Sequence, residues 1–299
     1  MKIYPFTDLK EEQTKELYDF IMSFGSNSYF DSYDEMIRDY NGPVFNKGTT
    51  YFSLWDGNLL KGTIGIITKD VEEKGEVFIT SINVLEEDKI VFKKLLKKGI
   101  EESIKISPQK MKIGIHSNKK YLIPFVEESD FKGVYEAVIL RLKSYDDLNE
   151  IETHDEISFE NLSEKNKMHF KDVHNEGFLN SPNGAMLTDE QIDEMLQKNG
   201  EKPNIVKICY MNDEPVGIYE LILKRHVGWI EAIAISSKWQ GKGLGKLLLK
   251  EAVDNLLNIG ATEIKLFVIS SNEKAYKLYL KYGFEIEKIT SHWFEKDIK

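Results

Sequence analysis

The sequence predicts an α/β fold, a sheet covered by helices, built twice along the chain. Three observations carry this. Strand-like segments come first as a meander and later as a strand–helix–strand unit. The run Ile230-Glu-Ala-Ile-Ala-Ile235 is apolar almost throughout, as a strand covered on both faces must be. Landmarks also recur about 150 residues apart: Phe78-Ile-Thr-Ser-Ile-Asn-Val84 resembles Trp229-Ile-Glu-Ala-Ile-Ala-Ile235, Leu95-Leu96 matches Leu247-Leu248, and Met111–Asn118 matches Ile264–Asn272. Solenoid repeats run ~20–50 residues, so this longer period points to two copies of one domain.

The elements of the second copy follow in order. Ile157–Glu160 reads as a short strand and Lys165–Glu176 as a helix. Asn180–Gly184 (Asn-Ser-Pro-Asn-Gly) is a turn-rich loop. Thr188 is placed to cap a helix over Asp189–Gln197. Ile205–Met211, Glu214–Leu223 and Trp229–Ile235 are strands in series. A helix over Leu244–Leu257 sets Leu244, Leu247, Leu248, Ala252 and Leu256 on one face and stops at Gly260. Glu263–Ile269 is a strand, Glu273–Tyr282 a helix, and Phe284–Ile289 and Trp293–Ile298 two more strands. The join falls near Ser144–Asp155, which is acidic and poor in apolar periodicity, so the domains are expected at 1–145 and 155–299.

Hydrophobic residues make up 41% of the 299, enough for a core in each half, which excludes disorder as the main state. The net charge is 40 − 50 = −10. Residues 1–150 carry 21 Lys+Arg against 26 Asp+Glu and the remainder 19 against 24, so neither half is the basic module that phosphate neutralisation requires. The acidic balance suits a cationic substrate. Cys209 is the single cysteine and cannot close an intramolecular disulfide, which fits a reducing compartment. The N-terminus has no signal-peptide core, and no stretch approaches the ~20 apolar residues of a membrane span. The chain reads as cytoplasmic, with neither nucleic acid nor membrane as partner.

The chemistry concentrates in Gln240-Gly-Lys-Gly-Leu-Gly-Lys246, between the apolar strand and the Leu-rich helix. Glycines allow φ > 0 and let amides converge on a ligand. A helix N-terminus beyond them offers unpaired N–H groups and partial positive charge, which together suit a pyrophosphate. Lys242, Lys246 and Lys250, four apart, would add charge on one face. The alternative is a glycine-rich turn with solvated lysines. A Walker loop fails because Leu247 follows Gly245-Lys246, and a dinucleotide fingerprint fails because the sixth residue from Gly241 is Lys246. No G-x-S-x-G stands for a serine hydrolase, and the histidine spacings (His169 and His174 lie five apart) argue against a metal.

The pattern Q/R-x-x-G-x-G/A, filled by Gln240, Gly243 and Gly245, resembles the GNAT superfamily of acetyl-CoA-dependent N-acetyltransferases. Asn272-Glu-Lys-Ala275-Tyr-Lys-Leu-Tyr279-Leu-Lys-Tyr-Gly283-Phe284 is similar to that family's later motif. The resemblance implies an α/β (α+β) protein of two GNAT-like domains, each a mixed, mostly antiparallel twisted sheet flanked by helices. It implies that the main chain of Ile233, Ala234 and Ile235 bonds the pantetheine of acetyl-CoA. It places the pyrophosphate on the N–H groups of Gln240, Gly241, Lys242, Gly243, Leu244 and Gly245, beside Lys246. Asn272 would contact the pantetheine or cap its helix, or do both. Tyr279 would donate a proton to the departing thiolate; otherwise it is an aromatic core residue. Glu231, a lone carboxylate in an apolar strand, is the expected base for an attacking amine; otherwise it pairs with a lysine or water. No metal is implied, and a monomer or a homodimer is equally compatible.

The first copy departs from this pattern. Leu85-Glu-Glu-Asp-Lys-Ile-Val replaces the glycine loop, and its acids would repel a pyrophosphate. Val126 falls near the tyrosine position and Thr80 near that of Glu231, while Asn118 matches Asn272. The first copy is therefore expected to be degenerate and without acetyl-CoA. Loops at Gly25–Asp31 and Phe178–Gly184 are candidate walls of an acceptor cleft. Acetyl transfer to a primary amine of a small molecule or peptide is the leading expectation. A different acyl-CoA donor, or a non-catalytic acyl-CoA sensor, is the alternative.

Overall fold

The computed structural model describes residues 1–25, 30, 32–68, 71–85, 88–152, 156–179, 181, 186–198 and 204–298. Glu86 and Glu87, His154, and most of the loops expected at Gly25–Asp31 and Asn180–Gly184 lie outside the described residues. In chain order the elements are β1 (Lys2–Pro5), α1 (Glu11–Met22), α2 (Tyr33–Tyr40), β2 (Tyr51–Asp56), β3 (Leu59–Ile67), α3 (Val71–Lys74), β4 (Glu76–Val84), α4 (Lys89–Ile104), β5 (Lys110–His116), α5 (Ile123–Glu127), β6 (Lys132–Leu142), α6 (Asp146–Asn149), β7 (Ile157–Asn161), α7 (Lys167–Phe178), α8 (Asp189–Lys198), β8 (Asn204–Met211), β9 (Glu214–Lys224), β10 (Val227–Ile235), α9 (Leu244–Asn258), β11 (Glu263–Ile269), α10 (Glu273–Lys281) and β12 (Phe284–Asp297). The fold is α/β, as expected. Among the described residues no helix is long and apolar enough to cross a membrane.

The chain divides into two compact units, Met1–Glu136 with Thr290–Lys299, and Ala137–Ile289. In the first unit the strands run β1-β2-β3-β4-β5-β12. Only β4 and β5 are parallel; the others pair antiparallel. The core forms where Phe92, Leu95 and Leu96 of α4 meet Ile64, Ile66 and Ile79 of the sheet, all buried. In place of the two strands expected over 284–298, β12 is a single strand. Its middle, Thr290-Ser-His292, holds no glycine or proline to break it.

The second unit orders its strands β7-β8-β9-β10-β11-β6 and is antiparallel except for β10 and β11. Both faces of its centre are covered, which explains the apolar continuity of β10. On one face the predicted stripe of α9, Leu244 through Leu256, is buried against Leu221, Ile230 and Leu266. Each such leucine contributes about 2 kcal/mol on burial. On the other face Phe170 and Val173 of α7 and Ile192 of α8 pack on Ile208, Ile218 and Ala234. Thr188 caps α8 as expected: its Oγ1 accepts from the Gln191 N–H at 3.2 Å, and the Gln191 side chain accepts from the Thr188 N–H at 3.0 Å.

The segment after Ser144 is more ordered than its composition suggests. It forms the short α6, and Leu148 and Ile151 enter the core of the second unit. Two apolar residues are too few to give a periodic signal.

Candidate active site

The site begins with a bulge. Ile230 pairs with Leu221 and Ala232 with Glu220, so Glu231 is an extra residue on β10. Bulges bend a strand and increase its local twist. On the other flank, β10 pairs with β11 only from Val227↔Glu263 to Ile230↔Leu266. Both strands continue, β10 to Ile235 and β11 to Ile269. Beyond the bulge their facing edges have no partner strand among the described residues, and edge peptide groups call for another acceptor or donor. A cleft of about 560 Å³ occupies the gap, with Ile233, Glu231, Glu220, Asn272, Tyr279 and His174 among its walls.

At the end of β10 a single 3-10 turn, Ser237–Trp239, leads into the glycine loop. Gly241 and Gly243 sit at φ +78 and +84, a region that strains other residues. Gly243 is the N-cap of α9, and no side chain caps that helix. The first N–H groups of α9 are left to a ligand or water. Among the described residues the N–H groups of Gly241, Lys242 and Gly243 have no protein acceptor. The residues present therefore fit a pyrophosphate. A Cβ on Gly245 would meet Leu278 of α10 at 3.4 Å, an ordinary van der Waals contact, so packing alone does not require glycine there.

Two members of the expected phosphate set are already engaged. The Gln240 N–H donates to the Ser237 carbonyl at 3.3 Å, and its side-chain amide donates to the Ile235 carbonyl at 3.2 Å. Gln240 thus ties the loop to the end of β10. Lys242 stands over the Trp239 ring, 4.2 Å from its centroid. Lys250 differs from expectation: its ammonium lies 3.0 Å from Asp254 and 3.2 Å from the Tyr145 hydroxyl, and its charge is neutralised within the helix. Leu244 is buried in the core, so only its main chain is available to a ligand. Ile233 lines the cleft, whereas Ala234 is buried on the opposite side against α7. The loop Gln240–Lys246 is not part of the cleft lining.

Tyr279 reaches the cleft from α10 and is 6% exposed. Burial raises its phenol above the ordinary tyrosine range, so it stays protonated at neutral pH. Asn272 caps its helix, one of the two roles foreseen for it: its Oδ1 accepts from the Ala275 N–H at 3.4 Å, and the residue also lines the cleft. Glu231 is an exposed side chain whose carboxylate meets the Lys224 ammonium at 3.0 Å, the lysine pairing allowed for in the sequence.

Three cleft residues escaped the sequence reading. Glu220 faces the cleft from β9, and burial first, then the charge of Glu231, raises its carboxyl above the usual range. His174 stacks on Phe170 and meets the tilted ring of Phe178, and burial lowers its imidazole. Phe267 is 55% exposed on β11 and lines the cleft. Glu220 carried a legible signal, since it interrupts the apolar run Val216–Leu223 just as Glu231 interrupts its own strand.

Residues 170–284 match the model of the Acetyltransferase (GNAT) family. The L-amino acid N-acetyltransferase AaaT of Escherichia coli is 40% identical over 58 residues, covering 18% of this chain and 35% of that protein. The thialysine N-epsilon-acetyltransferase of Mus musculus is 27% identical over 128 residues, covering 42% and 69%. The chain spans well under half the length of the first curated relatives it matches. Among solved structures, a tandem GNAT protein from the clavulanic acid biosynthesis pathway has the same fold, with a TM-score of 0.64 and 9% identity, over 99% of this chain and 98% of that one. The family match lies inside the second unit, so residues 170–284 are a GNAT acetyltransferase domain, and the chain as a whole shares the fold of a tandem GNAT protein.

Proposed function

We propose that the second unit transfers an acetyl group from acetyl-CoA to the primary amine of a small molecule or peptide by direct attack. The observation that carries this is the parting of β10 from β11 beyond Ile230↔Leu266. The opening places a protonated phenol and two carboxylates on the walls of one cleft, at the end of a strand that leads to an uncapped helix. The two relatives, named for L-amino acids and for thialysine, both imply amine acceptors and support the same class.

Acetyl-CoA supplies the activated thioester carbonyl. The N–H groups of Gly241 through Gly245 hold the pyrophosphate, with Lys242 and Lys246 adding charge. The free edge of β10 at Ile233–Ile235 bonds the pantetheine, helped by Asn272. Tyr279 protonates the leaving sulfur. Glu231, paired with Lys224 at the exposed side of the cleft, accepts a hydrogen bond from the incoming amine.

The first unit is proposed to bind no acetyl-CoA. There too the parallel pairing stops early, at Ile79↔Ile113, while β4 runs on to Val84. Its own side chains meet the strand beyond that point. Lys119 donates to the carbonyl of Ile82 and to Asn83, and the Tyr121 hydroxyl donates to the carbonyl of Val84 at 2.7 Å. Ile82 and Val84 correspond to Ile233 and Ile235 in the sequence repeat.

Calorimetric titration with acetyl-CoA is expected to give one site per chain, abolished by Gly243→Val and retained in Lys119→Met. Two sites of similar affinity would exclude the assignment of the first unit, and no binding would exclude that of the second.

A further inference from the structure

We propose that Glu220, rather than Glu231, accepts the proton of the attacking amine. The inference rests on the transferase reading above and assigns the base within that cleft.

The two carboxylates face the same space under different conditions. Glu231 is the bulge residue; its side chain is 36% exposed, and Lys224 already neutralises it at 3.0 Å. Glu220 sits opposite the bulge, half-buried, and among the described residues it has no ion-pair or hydrogen-bond partner. An unpaired carboxylate at such a position costs stability unless a ligand answers it. The groups facing Glu220 are few. On β10 there is Glu231, whose negative charge opposes ionisation of Glu220, and on β9 there is Lys224, engaged by Glu231. The helices α7 and α10 contribute His174 and Tyr279 to the same cleft. On β8 the residue opposite is Val206. Burial raises the Glu220 carboxyl above that of free glutamate, which makes it a stronger base than an exposed carboxylate.

The ammonium gives one proton to the Glu220 carboxylate. The freed nitrogen lone pair forms the C–N bond at the acetyl carbonyl, and the C–S bond breaks. The departing thiolate takes the Tyr279 hydroxyl proton. The second proton on nitrogen passes to the Tyr279 phenolate, leaving a neutral amide, and Glu220 returns its proton to solvent.

The test uses the full chain and the best acceptor from an amine panel. Glu220→Gln is expected to lower kcat/KM about 100-fold or more at pH 7, within the range of general-base effects. It should leave the acetyl-CoA Kd within about twofold and remove the rise of kcat/KM with pH. Glu220→Asp should recover part of both. Glu231→Gln should act mainly on the KM of the amine and keep the rise with pH. Glu220→Gln with kcat/KM within about threefold of wild type and an unchanged pH profile would overturn the assignment while leaving the transferase intact. Wild-type protein that turns over no amine would overturn both.

Discussion

Lys119 donates to the carbonyl of Ile82 at 2.5 Å, from a side chain only 6% exposed. Its ring neighbour is Phe24, with the ammonium 4.8 Å from the centroid. Burial lowers the Lys119 ammonium from the model-peptide value of 10.5 to about 8. The unfolded chain therefore holds this proton more tightly than the folded one, and this contribution to stability rises with pH between about 8 and 10.5. Over that window the upper bound is about 3 kcal/mol. Thermal unfolding of wild type and Lys119→Met across pH 7.5–10 checks this. The midpoint of wild type should climb relative to the variant as pH rises, and parallel curves would contradict it.

Tyr279 is the residue whose role separates packing from chemistry. Its ring lies 5.9 Å from that of Phe284, and both are buried. Phenylalanine keeps that contact and removes only the hydroxyl. Tyr279→Phe should lower kcat by about 10²-fold, the lower range of proton-transfer effects. The acetyl-CoA Kd should change by less than about twofold, since the hydroxyl serves the departing sulfur and not the ground state. Steady-state kinetics beside calorimetry decides between the readings, because a purely structural tyrosine would leave kcat near wild type.

The lysines of α9 should split by their partners. Lys250 is satisfied by Asp254 and Tyr145, so Lys250→Ala should cost stability and leave acetyl-CoA affinity unchanged. Lys246 has no ion pair among the described residues and sits one turn from the glycine loop. Lys246→Ala should weaken acetyl-CoA several-fold at low salt, by about 1 kcal/mol, and less at high salt. Titrations at two ionic strengths measure both effects.

Gly283 shows why the later motif ends in glycine. Its φ is +86, and a Cβ there would clash with the Ser144 carbonyl oxygen. Its own carbonyl accepts from the Lys143 N–H at 2.8 Å, so the turn cannot simply move away. Gly283→Ala should destabilise the second unit by about 2–4 kcal/mol, from left-handed strain together with the clash. Denaturant unfolding would register this as a lower midpoint, and an unshifted midpoint would contradict it.

Much of the second unit was legible because its signals are local. The apolar stripe of α9, the cap at Thr188 and the bounds of β11 follow from side-chain period and cap chemistry alone. The candidate site was legible in the residues themselves only where a type was unusual for its surroundings, as with the three glycines and Glu231, whereas Tyr279 stood out only through the resemblance of its motif. The pairing of Lys250 with Tyr145 was hidden because the partners lie 105 residues apart. The bulge at Glu231 was hidden because it is a property of register between two strands, not of either sequence. The strand exchange was hidden for the same reason. Ala137–Arg141 pairs with β11 in the second unit, and Ser291–Asp297 pairs with β5 in the first, although each segment closes the other half of the sequence.

The central claim is that the cleft between β10 and β11 performs acetyl transfer to an amine. Free-thiol release, followed with acetyl-CoA and a panel of amino acids, diamines, polyamines and aminated peptides, tests it most directly. The account predicts release that depends on the amine, saturates with it and collapses in Tyr279→Phe. Tight acetyl-CoA binding with thiol release at the hydrolytic background for every amine would contradict it and leave a coenzyme-binding protein instead.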